Sequence, residues 1–305
     1  MTDWMNDIRN AVARAQRELR ASVPDLARRF ALETEFLEDE VAMVRAEQAC
    51  GGAVPEIAYA DIAQGRVSAE QVARIHRRGC VVVRGVFDPA QVQAWNEEIH
   101  RYIDGNDYFA RAKAKAGLDK YFSALASGRP QIFGLYWSHP QMQARQAESM
   151  AATRAFLNRL WTFEKNGTRF FDPDRQANYA DRIRRREPGD STLGLSPHSD
   201  GGSVERWCEP TFRHVYREVF EGTLAHFDPF DADGRTATRE IPSPAVCSAF
   251  RTFQGWTALS RQGPGDGTLQ LVPIGRTAPW MLLRALQPDV PQGSLCGAQR
   301  GRAIG

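Results

Sequence analysis

The sequence is poor in cysteine, has no long apolar run and shows no excess of either charge. Its 305 residues include only five cysteines: Cys50, Cys80, Cys208, Cys247 and Cys296. No two stand in a C-x-x-C arrangement, which excludes zinc-ribbon and thioredoxin-type redox motifs. A sparse, odd count reads as buried free thiols in a reducing compartment. No stretch of about 18 apolar residues occurs, so no membrane span is expected. The opening residues Met1-Thr2-Asp3-Trp4 carry no apolar stretch of the secretory kind, and a cytoplasmic protein is expected. Lys and Arg number 39 against 37 Asp and Glu, a net charge of +2. That balance supplies no field selecting nucleic acid or an anionic membrane, so neither is expected as a partner, and it says nothing about a small-molecule substrate. Phosphate-cradling loops are missing as well. Gly263-Pro264-Gly265-Asp266-Gly267 lacks both the dinucleotide spacing and the Gly-Lys-Ser/Thr ending, and reads as a hairpin turn.

What is present is an ordinary globular balance, 42% apolar and 25% charged, which excludes wholesale disorder and a collagen-like rod. The length suits one large domain or two modest ones. Residues 1 to about 48 read as helical, with Trp4, Ile8, Val12, Ala15 and Leu19 at helical spacing. Pro24-Asp25 restarts the pattern, and Phe30, Phe36, Leu37, Val41 and Val44 form the next stripe. Ser68 and Gln71 have the spacing of a capping box. Cys80 to Phe87 is a short β-branched run and reads as a buried strand. Asp88-Pro89 opens a helix carrying Val92, Trp95, Ile99 and Ile103. Further strands are expected at 131–137, 180–187, 193–199, 246–259 and 268–273, and helices at 142–161, 211–220 and 278–286. The basic run Arg182 to Arg186 places Arg182, Arg184 and Arg186 on one face of its strand. It reads first as a solvated or ion-paired edge, and second as a clamp for an anion.

The chemistry-bearing segment is Ser196-Pro197-His198-Ser199-Asp200-Gly201-Gly202. On a strand, residues i and i+2 share a side, so His198 and Asp200 point together. An imidazole and a carboxylate make two-thirds of the facial triad that holds non-haem Fe(II) and leaves positions open for a co-substrate and O₂. His214 and His226, the histidines beyond Asp200, lie on a helix face expected to meet solvent and in a polar loop, so neither reads as a ligand. His76, His100 and His139 read as a helix-end charge, an exposed helix position and a turn before Pro140.

The stretch Asp181 to Asp190 running into Pro197-His198-Ser199-Asp200 resembles the Fe(II)/2-oxoglutarate-dependent oxygenases of the phytanoyl-CoA hydroxylase type. So do Gly79 to Phe87 and Asp266 to Pro273. Ser203 to Pro210 and Phe250 to Thr257 resemble more closely the YbiU-like family, proteins of unassigned function within that superfamily. The resemblance implies Fe(II) and 2-oxoglutarate as cofactors, with His198 and Asp200 as metal ligands and no catalytic residue separate from them. It also implies a second histidine and a basic 2-oxoglutarate anchor later in the chain. The sequence ends at Gly305 before either, so a truncated, inactive form of the oxygenase is expected. The alternative is a non-catalytic binding module or degraded gene product that keeps only the His-x-Asp pair.

The fold expected is α+β. A helical N-terminal segment, residues 1–75, precedes a partial double-stranded β-helix of jelly-roll or cupin type over residues 76–305, lacking its C-terminal strands. Such a barrel needs about eight strands, against about six read here. An unpaired edge would then invite self-association.

Overall fold

Two long helices open the chain, as their periodicity requires: α1 (Asp3–Ser22) and α2 (Leu26–Ala49). Pro24-Asp25 breaks them apart, and Asp25 takes a left-handed conformation with φ 48°. The computed structural model describes residues 3–114, 131–178, 181–187, 189, 207–238, 250–263, 266 and 268–290. The expected strand 193–199, with His198, and Asp200 beside it lie outside them.

The next elements alternate. β1 (Glu56–Ala58) pairs in parallel with β2 (Val82–Arg84), and α3 (Tyr59–Ala63) and α4 (Ala69–Arg78) make the crossover. The Ser68–Gln71 capping box at the start of α4 forms as expected, satisfying two donors that a helix start leaves orphaned. Asp88 caps α5 (Pro89–Gly105) through the amides of Ala90 and Gln91, and Trp95, Ile99 and Ile103 are buried. α6 (Tyr108–Ala114) follows. β3 (Ile132–Phe133) pairs antiparallel with β6 (Ile183–Arg184). Between them lie α7 (His139–Gln146), α8 (Glu148–Arg159) and the hairpin of β4 (Glu164–Lys165) and β5 (Thr168–Arg169). Asn166 and Gly167 turn that hairpin with φ of 51° and 77°, the positive values a tight two-residue turn needs. The single helix expected over 142–161 is thus two, broken at Ala147, whose ψ of 136° is extended. Helices Pro210–Val215, Arg217–Phe220 and Ala278–Ala285 follow, the first two dividing the helix expected over 211–220, with short 3-10 turns at Leu224–His226 and Arg235–Ala237.

The expected partial double-stranded β-helix is not what the chain forms. Among the described residues helix outweighs strand, 52% to 7%, and the sheets are three separate two-stranded pairs. The reason lies in what the apolar residues touch. Phe250 and Phe253, read as strand positions, instead set their rings against Trp161 at 5.1 and 6.4 Å, edge to face. Residues 268–273 form no strand, and Leu269, Leu271 and Val272 stay exposed. Alternating apolar residues define a strand only where a neighbour supplies the ladder hydrogen bonds, and among the described residues none does.

Three apolar clusters hold the molecule. The first joins Leu19 of α1 and Val23 just after it to Trp207, Val219 and Phe220 and to Leu282, Leu283 and Leu286. The second gathers Ile57, Ile75, Leu160, Trp161 and Phe230, and the third Ile99, Ile103 and Phe133. Each such side chain contributes about 1.5–3 kcal/mol when buried. Polar contacts fix how α1 meets the last helix. Arg20 donates to the carbonyls of Leu286 (2.6 Å) and Gln287 (2.8 Å), and Gln16 to that of Ala285 (2.8 Å). A helix C-terminus leaves such carbonyls unpaired and carries partial negative charge, so Arg20 suits it twice over.

Free thiols are found at Cys50, Cys80 and Cys208, but Cys50 is exposed, against the expectation of burial. Among the described residues no helix is long and apolar enough to cross a membrane.

Candidate functional site

The residues α2 buries are not its apolar stripe but Glu33 and Glu40. With Glu47 they stand seven residues apart, two helical turns each, and so line one face. Every one meets arginine. Glu33 pairs with Arg276 at 2.6 Å, and Glu40 pairs with Arg77 and Arg78, both at 2.9 Å. Glu47 bonds Arg78 and also lies 3.4 Å from Arg74. The Arg78 side chain is completely buried, and its Nη1 also reaches the Pro273 carbonyl at 3.4 Å. Burial pushes the Glu33 carboxyl above its ordinary value, with Arg276 working against it. Arg78 holds Glu47 below its ordinary value.

This seam forms one wall of a cleft of about 260 Å³. The opposite wall carries Phe230, on which the His76 ring stacks with centroids 4.4 Å apart. His76 Nε2 donates to the Leu160 carbonyl at 2.8 Å, so this histidine in the last turn of α4 is packed and hydrogen-bonded. Arg276 lies over the Phe36 ring at 4.6 Å. Gly79 and Gly275 bring α4 against the 273–276 segment: a Cβ on Gly79 would stand 2.6 Å from Gly275 Cα. Only two glycines allow that approach, and Gly79 also needs its positive φ of 65° to end the helix.

Across the turn Asp228-Pro229-Phe230 lies a second, polar cleft of about 280 Å³. Asp231 accepts from Lys165 at 3.0 Å and Asp233 from Arg217 at 3.0 Å. Burial works to raise the Asp231 carboxyl. The Asp233 amide, Lys165 and Arg217 together overcome it and hold the group below its ordinary value. Arg235 steadies this turn from beneath through the carbonyls of Asp231 (2.8 Å) and Pro229 (3.1 Å), with its guanidinium 5.2 Å from the Trp161 ring centre. Burial pulls its pKa down.

The histidines fall into place around these clefts. His226 lines the polar cleft, and His214 Nε2 stands 3.6 Å from Asp233 while staying half exposed. His100 is half-buried on α5, and His139 opens α7 beside Glu98 at 3.5 Å. Among the described residues no group of three or more His, Cys, Asp or Glu could hold a metal ion. His198 and Asp200 lie outside them, so their geometry is not part of this site. The acidic seam was missed by reading apolar residues alone. Its signal was the seven-residue spacing of Glu33, Glu40 and Glu47.

Residues 6–305 match the Gig2-like family. The chain belongs to that family. It is 44% identical over 301 residues to the uncharacterized protein YbiU of Escherichia coli K12, covering 98% of this chain and 71% of that one. The resemblance to YbiU-like proteins is thereby borne out. Crystal structures agree: a hypothetical protein from Escherichia coli matches with a TM-score of 0.80 at 40% identity, covering 98% of this chain and 70% of that chain. A Salmonella typhimurium LT2 protein named a putative oxidoreductase matches with a TM-score of 0.84 at 39% identity, covering 98% and 71%. The GlcNAc-inducible Gig2 of Candida albicans matches with a TM-score of 0.58 at 25% identity, covering 85% of this chain and 52% of that one.

Proposed function

We propose that the chain carries the metal-binding part of an Fe(II)/2-oxoglutarate-dependent oxidoreductase that acts on a small molecule. The observation that carries the reading is the His198-x-Asp200 pair in a member of a family whose Salmonella relative bears an oxidoreductase name. The described residues do not fit the iron themselves. Asp231 and Asp233 are tied up by Lys165 and Arg217, and His76 by a carbonyl. By the resemblance, His198 and Asp200 are the residues that would hold it. When bound, Fe(II) with 2-oxoglutarate supplies O₂-dependent oxidation of a substrate C–H bond.

Metal binding tests this more directly than turnover, because two ligands bind without completing a triad. Under anaerobic conditions, Fe(II) and 2-oxoglutarate added to the chain are expected to give a visible charge-transfer absorption. His198→Ala and Asp200→Ala are each expected to abolish it. Equal absorption in wild type and both variants, or none in any, overturns the reading. The second outcome supports a non-catalytic binding module.

A further inference from the structure

Arginines gather where β6 leaves its sheet. Gln141, almost fully buried on α7, donates to the carbonyls of Leu135 and Asp181, both at 2.9 Å, and so clamps the end of β3 to the start of β6. That clamp brings Tyr136 and Trp137 alongside Asp181 and Arg182. Arg145, one turn further along α7, donates through Nε to Asp181 at 2.9 Å and to the Tyr136 carbonyl through Nη2. Its guanidinium lies 4.7 Å from the Trp137 ring centre, and that of Arg182 lies 5.8 Å from the Tyr136 ring centre. The break at Ala147 frees the Arg145 carbonyl, which accepts from Arg154 of α8 at 3.1 Å.

Two guanidiniums thus share one carboxylate: Arg145 bonds Asp181 and Arg154 feels its charge, while Arg182 is the next residue along the strand. Arg154 is half-buried and has no carboxylate bonded to it among the described residues. Burial lowers its pKa, Asp181 opposes this, and Arg145 adds like-charge repulsion. Arg182 is exposed, with its guanidinium over the Tyr136 ring. A half-buried cation next to another cation is unfavourable unless an anion completes it. The planar fork of arginine suits bidentate contact with a carboxylate or phosphate. Trp137 leaves most of its surface open, at 69% exposure.

We propose that Arg145, Arg154 and Arg182 form a binding site for the carboxylate or phosphate group of a small organic anion. None of the three arginines is a proposed iron ligand, so the proposal stands or falls apart from the metal reading.

Trp137 supplies the readout. The chain is titrated with inorganic phosphate and, separately, with succinate, in buffer containing a metal chelator and at constant ionic strength. Tryptophan fluorescence is expected to change saturably with at least one anion, and Trp137→Phe removes that change. Response to phosphate alone names a phosphate ester as the ligand class, and response to succinate alone names a carboxylic acid. Arg182→Gln, at an exposed position that leaves folding intact by circular dichroism, is expected to raise the half-saturation concentration about tenfold. Arg154→Gln raises it further. The proposal is overturned if neither anion gives a saturable response, if chloride at equal ionic strength reproduces it, or if Arg182→Gln binds as wild type does.

Discussion

Replacing Arg78 by methionine tests whether the α2–α4 seam holds this fold. The wild-type guanidinium has no exposed surface and bonds Glu40, Glu47 and the Pro273 carbonyl at once. Methionine keeps most of the volume but removes every donor. Glu40, itself almost fully buried, then keeps Arg77 alone, and the Pro273 carbonyl loses its Arg78 donor. Breaking a buried ion pair from one side costs about 3–5 kcal/mol. The surviving Arg77 contact and the partial exposure of Glu47 place the expected loss near the lower end, about 3 kcal/mol. Adding Glu40→Leu removes the stranded carboxylate, so the double variant should be more stable than Arg78→Met alone by about 1–2 kcal/mol. Arg77 loses only a surface contact, worth about 0–1 kcal/mol. Urea unfolding followed by circular dichroism measures all three chains. The pH dependence has a defined sign. Arg78 holds the folded Glu47 carboxyl below its ordinary value of 4.5. That contribution is present above 4.5, is lost as pH falls through the folded value, and disappears from the acid limb of Arg78→Met. A loss under about 0.5 kcal/mol for Arg78→Met, the level of an ordinary surface change, refutes the reasoning. So does a double variant less stable than the single.

Two further outcomes concern the neighbouring contacts of α2 and α4. Burial raises the folded Glu33 carboxyl, so its favourable share of stability is complete below 4.5 and declines as pH rises through the folded value; wild type should therefore lose stability relative to Glu33→Gln over that rise in a pH series of melts, and a gain would contradict it. Gly79→Ala must place a Cβ 2.6 Å from Gly275 Cα at φ 65°, and a cost of about 2 kcal/mol or more is expected by urea unfolding, with a neutral result ruling out the close approach.

What could be read from the sequence was local chemistry. The Ser68–Gln71 box, the Asp88-Pro89 start and the apolar face of α5 each need only residues within a turn or two of one another. The strands failed because pairing depends on a partner the sequence does not name: Phe250 and Phe253 found Trp161 instead of a ladder. The glutamates of α2 show the converse. Their spacing is visible, but whether Glu33 faces water or the interior is decided by Arg276, which reaches it from the far end of the chain. A charged residue is buried only when its counter-charge is delivered there, and delivery is a property of the fold.

The same logic separates the two halves of the proposed functional chemistry. His198 and Asp200 are legible because a metal pair on a strand needs only the period of two. The arginine site is half legible. Arg182 belongs to a basic run whose alternation reads as a charged edge, and the structure does leave Arg182 and Arg184 exposed while Ile183 joins the third apolar cluster. Arg145 and Arg154 carry no such pattern. They converge because the helix expected to run unbroken stops at Ala147 without a proline or glycine to announce it. The break converts two surface arginines of one helix into a carbonyl-linked pair facing Asp181. An edge strand alone needs positive charge only on its solvent face. A second layer of cations behind it, half-buried against a single carboxylate, is the feature that edge protection does not require and that an anion would.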